Sequence, residues 1–245
     1  MRLNYFKKGF NYSQDGPGNR LVYHLIGCNM MCPWCANPEG LGVNSTYHTQ
    51  YYSEELDVIL EEILSCKSLF FEGGGVTFTG GEATLQYIEL LTLLKELKKL
   101  NIHTAIETNA TSKQLVNLFP YIDYLIMDFK HIDDKIHQKF TGISNSQIKL
   151  NIAQAMKSHP NVLIRTPLIN GFNANPKYIS QFISFFQQFP LRNTSFEFLK
   201  YHEYGKSKWE QYGLTYTYDN GFVDDELVIL FETEYKKNGL TIVHT

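Results

Sequence analysis

The sequence has no apolar run approaching the 18 or so residues that a membrane-crossing helix needs. Its first ten residues, MRLNYFKKGF, hold no continuous apolar segment of the kind that marks a secretory leader. A cytoplasmic chain without membrane association is therefore expected. Basic charge is not in excess. The 22 Lys and Arg stand against 25 Asp and Glu, a formal charge of −3, so a surface that tracks nucleic-acid phosphates is not expected. Charged residues make up 19% of the 245, less than the usual quarter or so. Cysteine is scarce too: there are four, Cys28, Cys32, Cys35 and Cys66, three of them within eight positions. They are too few and too clustered for the disulfide framework of a secreted protein. In a reducing compartment such a group reads as metal ligands or redox thiols. There is no repeat, low-complexity tract or linker, and one domain over 1–245 is the economical reading.

Apolar residues reach 43%, which excludes a disordered chain. The 17 Phe, 16 Tyr and 2 Trp imply aromatic-lined surfaces or a heavy core. Apolar and β-branched runs predict strands over 20–26, 75–79, 103–108, 124–129, 162–168, 195–199 and 240–244. Ser53 reads as a helix N-cap, with Glu54 and Glu55 in the first turn and Leu56, Ile59, Leu60, Ile63 and Leu64 as the apolar stripe. Further helices are expected over 85–100, 112–119, 133–140, 146–158 and 224–237. Asn175 followed by Pro176 opens another, with Ile179, Phe182, Ile183 and Phe186 inward. Strands alternating with helices favour parallel βαβ units in one sheet. Six or more units predict an α/β fold of barrel or partial-barrel type. In such folds the active residues sit at the C-terminal strand ends.

Cys28-Asn-Met-Met-Cys32-Pro-Trp-Cys35 follows the first of these strands. Thiolates are the ligands of iron–sulfur clusters and of zinc. A structural zinc site wants four ligands, and a fourth here would be Cys66, His24 or His48, none at a familiar spacing. Three thiolates suit a [4Fe–4S] cluster with one iron open to a further ligand. Elsewhere, Gly80-Gly81-Glu82 closes a strand. It is no phosphate-cradling loop, because the Lys-Ser/Thr of that motif is missing. Asp128 and Lys130 alternate on one strand face and form either an ion pair or part of a site. Arg165 interrupts an apolar strand, His202 lies just past another, Asp15–Gly18 can be a tight Gly-Pro turn, and Cys66 reads as a small buried side chain.

The C-x3-C-x2-C loop with Trp34 before its third cysteine resembles the signature of radical S-adenosylmethionine (SAM) enzymes. Around it stand DGPG at 15–18, Arg20, Asn37-Pro38-Glu39, GGGVTFTGGEAT at 73–84, ETN at 107–109, MDFK at 127–130 and YHEYGKSKW at 201–209. In this order, and over nearly the whole chain, they resemble the activases of glycyl radical enzymes. The resemblance implies a partial (β/α)6 TIM-like barrel of the radical SAM type with N- and C-terminal extensions. It implies no ferredoxin-like insert, since no cysteine follows Cys35 before Ser53. It places Cys28, Cys32 and Cys35 on three irons of the cluster. It places Trp34, Gly80, Gly81, Glu82, Asp128, Lys130, Arg165 and His202 around SAM, and Glu107, Thr108 and Asp128 around a monovalent cation (Na+ or K+). Asp15, Gly16, Pro17 and Gly18 fall where the partner's glycine loop enters.

The chemistry implied is oxidoreductase chemistry of an anaerobe. One electron from the reduced cluster cleaves SAM, and the 5′-deoxyadenosyl radical takes a Cα hydrogen from a partner's glycine. Flavodoxin or ferredoxin is the implied electron donor, a monomer the implied state and pyruvate formate-lyase the default partner. Two residues depart from the pattern. Ala36 stands where these activases usually have His, and Glu107 where they have Asp, which also admits a specialised lyase or decarboxylase as target. Two other readings compete: a radical SAM enzyme acting on a small molecule or peptide, and a non-catalytic zinc-binding interaction domain.

Overall fold

The computed structural model describes residues 1–41 and 50–245. Among these, nine strands form one sheet in the order β3-β1-β2-β4-β5-β6-β7-β8-β9. The strands are β1 (Arg2–Tyr12), β2 (Asn19–Leu25), β3 (Tyr52–Glu55), β4 (Gly75–Gly80), β5 (Thr104–Thr108), β6 (Tyr124–Asp128), β7 (Val162–Leu168), β8 (Thr194–Lys200) and β9 (Thr241–Ile242). From β2 through β4 to β9 every neighbour is parallel. The sheet stays open, because β3 and β9 end it without pairing to each other. The expected partial barrel is thus six central parallel strands, extended by β1 and β3 on one side and β9 on the other.

Register sorts the two faces. Thr77, Thr79, Glu107, Asp128, Arg165 and Glu197 share the concave face, while Val76, Phe78, Ile106, Met127, Ile164 and Phe196 point to the other. The apolar face packs under helices α1 (Leu56–Ser65), α2 (Tyr87–Lys99), α4 (Ser146–Ser158), α5 (Ile179–Phe186) and α7 (Asp225–Lys237). Each helix supplies a buried stripe, such as Leu90, Leu93, Leu94 and Leu97 on α2. The aromatic content is spent here. Phe186 lies 4.6 Å from Phe196 and Tyr235 lies 4.8 Å from Phe198, centroid to centroid, where α5 and α7 cover β8.

The structure corrects the sequence reading at several places. Ser53 lies inside β3, and helix α1 begins at Leu56 with Glu55 as its N-cap. β1 is a full strand, paired antiparallel with β2 and β3. The segment near 112–119 is a 3-10 helix, Leu115–Tyr121, with Pro120 inside it. The last strand is only Thr241–Ile242. Two short helices complete the chain, α3 (Asp134–Thr141) and α6 (Lys206–Gln211). No helix among the described residues is long and apolar enough to cross a membrane.

Candidate active site

At the C-terminal ends of the parallel strands lies a cavity of about 240 Å3. Cys28, Cys32, Cys35, Trp34, Gly80, Gly81, Glu107, Thr108, Asp128, Lys130 and His202 all line it. Each comes from a strand end or the loop just after it, so the sheet alone brings together residues spread over most of the sequence. Thr79, Asn109 and Tyr201 line it as well. Sequence reasoning gave them no role, although each sits in a motif already singled out.

The base of the cysteine loop is fixed by backbone. Gly27 turns the chain at φ +100°, and its N–H donates to the Gly40 carbonyl at 2.9 Å. Gly81 N–H donates to Leu25 O at 2.9 Å and Glu82 N–H to Gly27 O at 2.7 Å. A Cβ on Gly81 would stand 2.2 Å from the Gly27 carbonyl oxygen, so only glycine fits. The Gly80-Gly81-Glu82 backbone therefore clamps the root of the loop while its two glycines face the cavity. Within the loop, Cys35 N–H donates to Cys32 O at 3.1 Å and Met30 N–H to Cys28 Sγ at 3.4 Å. Trp34 is wedged among Phe172, Tyr218 and Phe140, with centroids 4.6, 5.1 and 5.9 Å away. It is at once a core aromatic and part of the cavity wall.

Burial pushes the Cys28 thiol up to about 11 and the Cys32 thiol to about 12, and it raises Cys35 too. Thiolates in such a place need a positive partner. Among the described residues no three His, Cys, Asp or Glu side chains converge closely enough to hold a single metal ion. A cluster asks instead for thiols spread around a shared space, one to each iron. Three desolvated thiols lining one cavity fit that group. Cys66 caps the end of α1 and His24 packs beside Phe6, and neither lines the cavity. His48 lies outside the described residues.

Lys130 pairs with Asp128 at 2.5 Å across the cavity wall. Burial works against the Lys130 charge, but Asp128 and the nearby thiols outweigh it and hold the ammonium protonated. His202 stacks on Tyr204, with centroids 4.2 Å apart, and burial lowers its pKa, which favours the neutral ring.

Other expected site residues point elsewhere. The Glu82 carboxylate is buried and accepts from the Thr108 hydroxyl (2.7 Å), the Asn109 N–H (2.7 Å) and the Thr84 N–H (2.9 Å). It is an internal knot joining β4 to β5, not a free acceptor in the cavity. Arg165 lies beneath the floor, with Nε 2.7 Å from Glu197 and Nη1 2.7 Å from Glu107. The second Glu107 oxygen accepts from Thr79 Oγ1 at 2.8 Å. Burial draws the Glu107 carboxyl upward, but Arg165 outweighs it and the result lies below the ordinary range. Two of the expected cation ligands are thus engaged within the wall, Glu107 by Arg165 and Thr108 by Glu82, while Asp128 pairs with Lys130 on the cavity surface.

Asp15–Gly18 sits at the other end of the lumen. It precedes β2, whose start lies beside Gly75, the first residue of β4. The Asp15 carbonyl accepts from Thr77 Oγ1 at 2.7 Å, and the buried Arg20 donates to Pro17 O at 3.0 Å. Gly16 and Gly18 are buried, and a Cβ on Gly18 would stand 2.2 Å from the Phe71 carbonyl oxygen. Gly18 is packed against the chain's own backbone and Gly16 against the Arg20 and Ala105 side chains, so both glycines are taken up inside the fold.

An open parallel sheet with a three-thiol loop after its first parallel strand, over a cavity at the C-terminal strand ends, defines a class. Residues 22–183 match the Radical SAM superfamily, and the chain belongs to it. Within that superfamily it is a member of the activating enzymes of glycyl radical enzymes. The 4-hydroxyphenylacetate decarboxylase activating enzyme of Clostridioides difficile (strain CD196) is 31% identical over 92% of this chain and 90% of its own. The pyruvate formate-lyase-activating enzyme of Staphylococcus epidermidis is 33% identical over 84% of each. The crystal structure of a domain of pyruvate-formate lyase-activating enzyme from Bacteroides vulgatus superposes with a TM-score of 0.58 at 26% identity, covering 69% of this chain and 98% of that one.

Proposed function

We propose that this chain activates a partner glycyl radical enzyme by removing a hydrogen atom from one of its glycines, using SAM and a [4Fe–4S] cluster. The observation that carries the reading is the shared cavity: three thiols, the Asp128–Lys130 pair and His202 face one space at the C-terminal strand ends. Cys28, Cys32 and Cys35 would hold the cluster. When bound, it supplies the electron that cleaves the sulfonium of SAM.

The protein's own part is placement and exclusion of water. Asp128 and Lys130 offer opposite charges to the amino and carboxylate ends of SAM. The Gly80-Gly81 backbone lets a ligand approach closely. Trp34, Ile169 and Leu199 supply apolar wall. Neutral His202 can accept or donate a hydrogen bond without adding charge. No side chain is needed as a general acid or base. Arg165 supplies the positive charge beside Glu107, and we assign no monovalent cation there. A flavodoxin or ferredoxin would deliver the electron. Pyruvate formate-lyase is the first partner to test and 4-hydroxyphenylacetate decarboxylase the second, following the relatives.

The test is anaerobic incubation with SAM, a reductant and each candidate enzyme, read by electron paramagnetic resonance. A glycyl radical doublet on one partner supports the reading. With a glycine-deuterated loop peptide, deuterium should move into 5′-deoxyadenosine. Transfer from a small molecule and from no glycyl-radical-enzyme loop overturns it.

A further inference from the structure

Two motifs have no task in the function just proposed: Asn37-Pro38-Glu39, and the segment Gly205 to Trp209. They lie about 170 positions apart and meet in space. The Trp209 ring N–H donates to the Cys35 carbonyl at 2.9 Å. Lys208 Nζ donates to the Ala36 carbonyl at 3.0 Å and to Glu39 Oε1 at 2.7 Å. Gly205 lies so close that a Cβ would stand 2.6 Å from the Cys35 carbonyl oxygen and 2.7 Å from Ala36 Cα. Three residues of one short segment thus grip the backbone at and just after the third thiol.

The charges have an odd arrangement for a stabilising device. Glu39 is 7% exposed, and among the described residues its Oε2 is buried with no hydrogen-bond partner. Lys208 is the one cation paired with it among the described residues. A pair with its anion buried and its cation partly exposed to solvent is a poor source of stability. It does set a fixed local field, and this one lies within four residues of Cys35.

We infer that Gly205, Lys208 and Trp209 form a clasp that positions Cys35 toward the cavity, and that the Lys208–Glu39 pair tunes the potential of the metal group Cys35 holds. The inference rests on the cluster reading above, and Lys208 and Trp209 are positioning residues within it. Two effects separate. The Trp209 hydrogen bond restrains the loop, so its loss should speed release of iron. The two charges act with opposite sign, so removing the cation should make reduction harder and removing the anion should make it easier.

The experiment uses the full chain reconstituted with iron and sulfide without oxygen, as wild type, Trp209→Phe, Lys208→Met, Glu39→Gln and the Lys208→Met/Glu39→Gln double variant. Iron release to a chelator should be about tenfold faster in Trp209→Phe, the factor one net hydrogen bond is worth. In redox titrations the midpoint should move down in Lys208→Met, up in Glu39→Gln, and return near wild type in the double variant. Iron release equal to wild type in Trp209→Phe overturns the clasp. Midpoint shifts of the same sign, or none, overturn the electrostatic role. Trp209→Phe and Glu39→Gln bury no new charge, so they keep the test decisive if Lys208→Met does not fold. A wild-type chain that takes up no cluster refutes the proposed function. A wild type that loads normally beside unresponsive variants refutes the clasp alone.

Discussion

Replacing Arg165 by Met tests the charge balance under the cavity. The guanidinium is 5% exposed and ties two carboxylates, Glu107 at 22% and Glu197 at 3%, each at 2.7 Å. It also donates to the Thr245 hydroxyl at 2.9 Å and to the Gln14 carbonyl. Without it, both carboxylates face a lumen that already holds Asp15, whose carboxyl burial and Glu107 push upward. Breaking a buried ion pair by removing one partner costs about 3–5 kcal/mol. Glu107 keeps its Thr79 bond and some water, so the whole variant should lose about 4 kcal/mol near neutral pH, not twice that. For a domain of this size each kcal/mol moves Tm by about 2–4 °C, so Tm should fall roughly 8–16 °C.

The penalty should also depend on pH. In the native protein the folded Glu107 pKa lies below its unfolded value. Its contribution is present above the unfolded pKa and fades as pH falls through the folded one. In the variant burial is the dominant influence on Glu107, with only Thr79 and more distant charge against it, so its folded carboxyl titrates above its unfolded value and protonation relieves the strain. The gap between the two proteins should therefore narrow from about pH 7.5 to about pH 5. Urea unfolding followed by circular dichroism, on samples of equal iron content, measures both quantities. A loss under about 1 kcal/mol, the range of a solvent-screened pair, or a gap that widens on acidification, would refute the reasoning.

Ala substitution at Cys28, Cys32 or Cys35 should abolish cluster loading, whereas Cys66→Ala, outside the cavity, should load normally, as judged by iron content and visible absorbance. Asp128→Asn should weaken SAM binding about 10- to 100-fold, the worth of one charge-assisted hydrogen bond, with iron content unchanged in the same calorimetric samples. SAM affinity should be the same in choline chloride as in KCl or NaCl at equal ionic strength, because Arg165 already neutralises Glu107. A tenfold loss in choline would restore the cation at Glu107, Thr108 and Asp128. Gly18→Ala, at φ +66° and against the Phe71 carbonyl oxygen, should cost about 2–3 kcal/mol in unfolding experiments.

What could be read from the sequence was whatever local pattern dictates. The apolar run 162–168 is the strand Val162–Leu168, and the stripe over 146–158 is the helix Ser146–Ser158. β1 was not legible because only Leu3 and Tyr5 of its eleven residues are buried. Its partners β2 and β3, not an apolar pattern, define it as a strand. The cysteines and the strand-end residues line one cavity because βα alternation fixes which strand end faces it. Glu82 and Arg165 do not line it. Their carboxylate and guanidinium are claimed by residues that only register brings alongside, as when Arg165 stands opposite Asp128 and Glu197. The Asp15–Gly18 turn looked available from its glycines. Its burial follows from the parallel pairing of β2 with β4, a contact that no local pattern announces.

The bond from Trp209 to Cys35 spans 174 positions, and that span has a meaning in time. A chain grows from its N-terminus at about 5–20 residues per second. Across 174 positions the delay is roughly 9–35 s on those rates. For that interval a nascent chain offers its three thiols on a loop whose brace has not yet been made, and whose neighbouring strands are still arriving. Metal captured then would sit on an unbraced loop open to oxygen and to competing ions. The topology therefore favours loading once the Gly205–Trp209 segment has been made and has docked on the loop, and makes that segment a checkpoint for cofactor assembly.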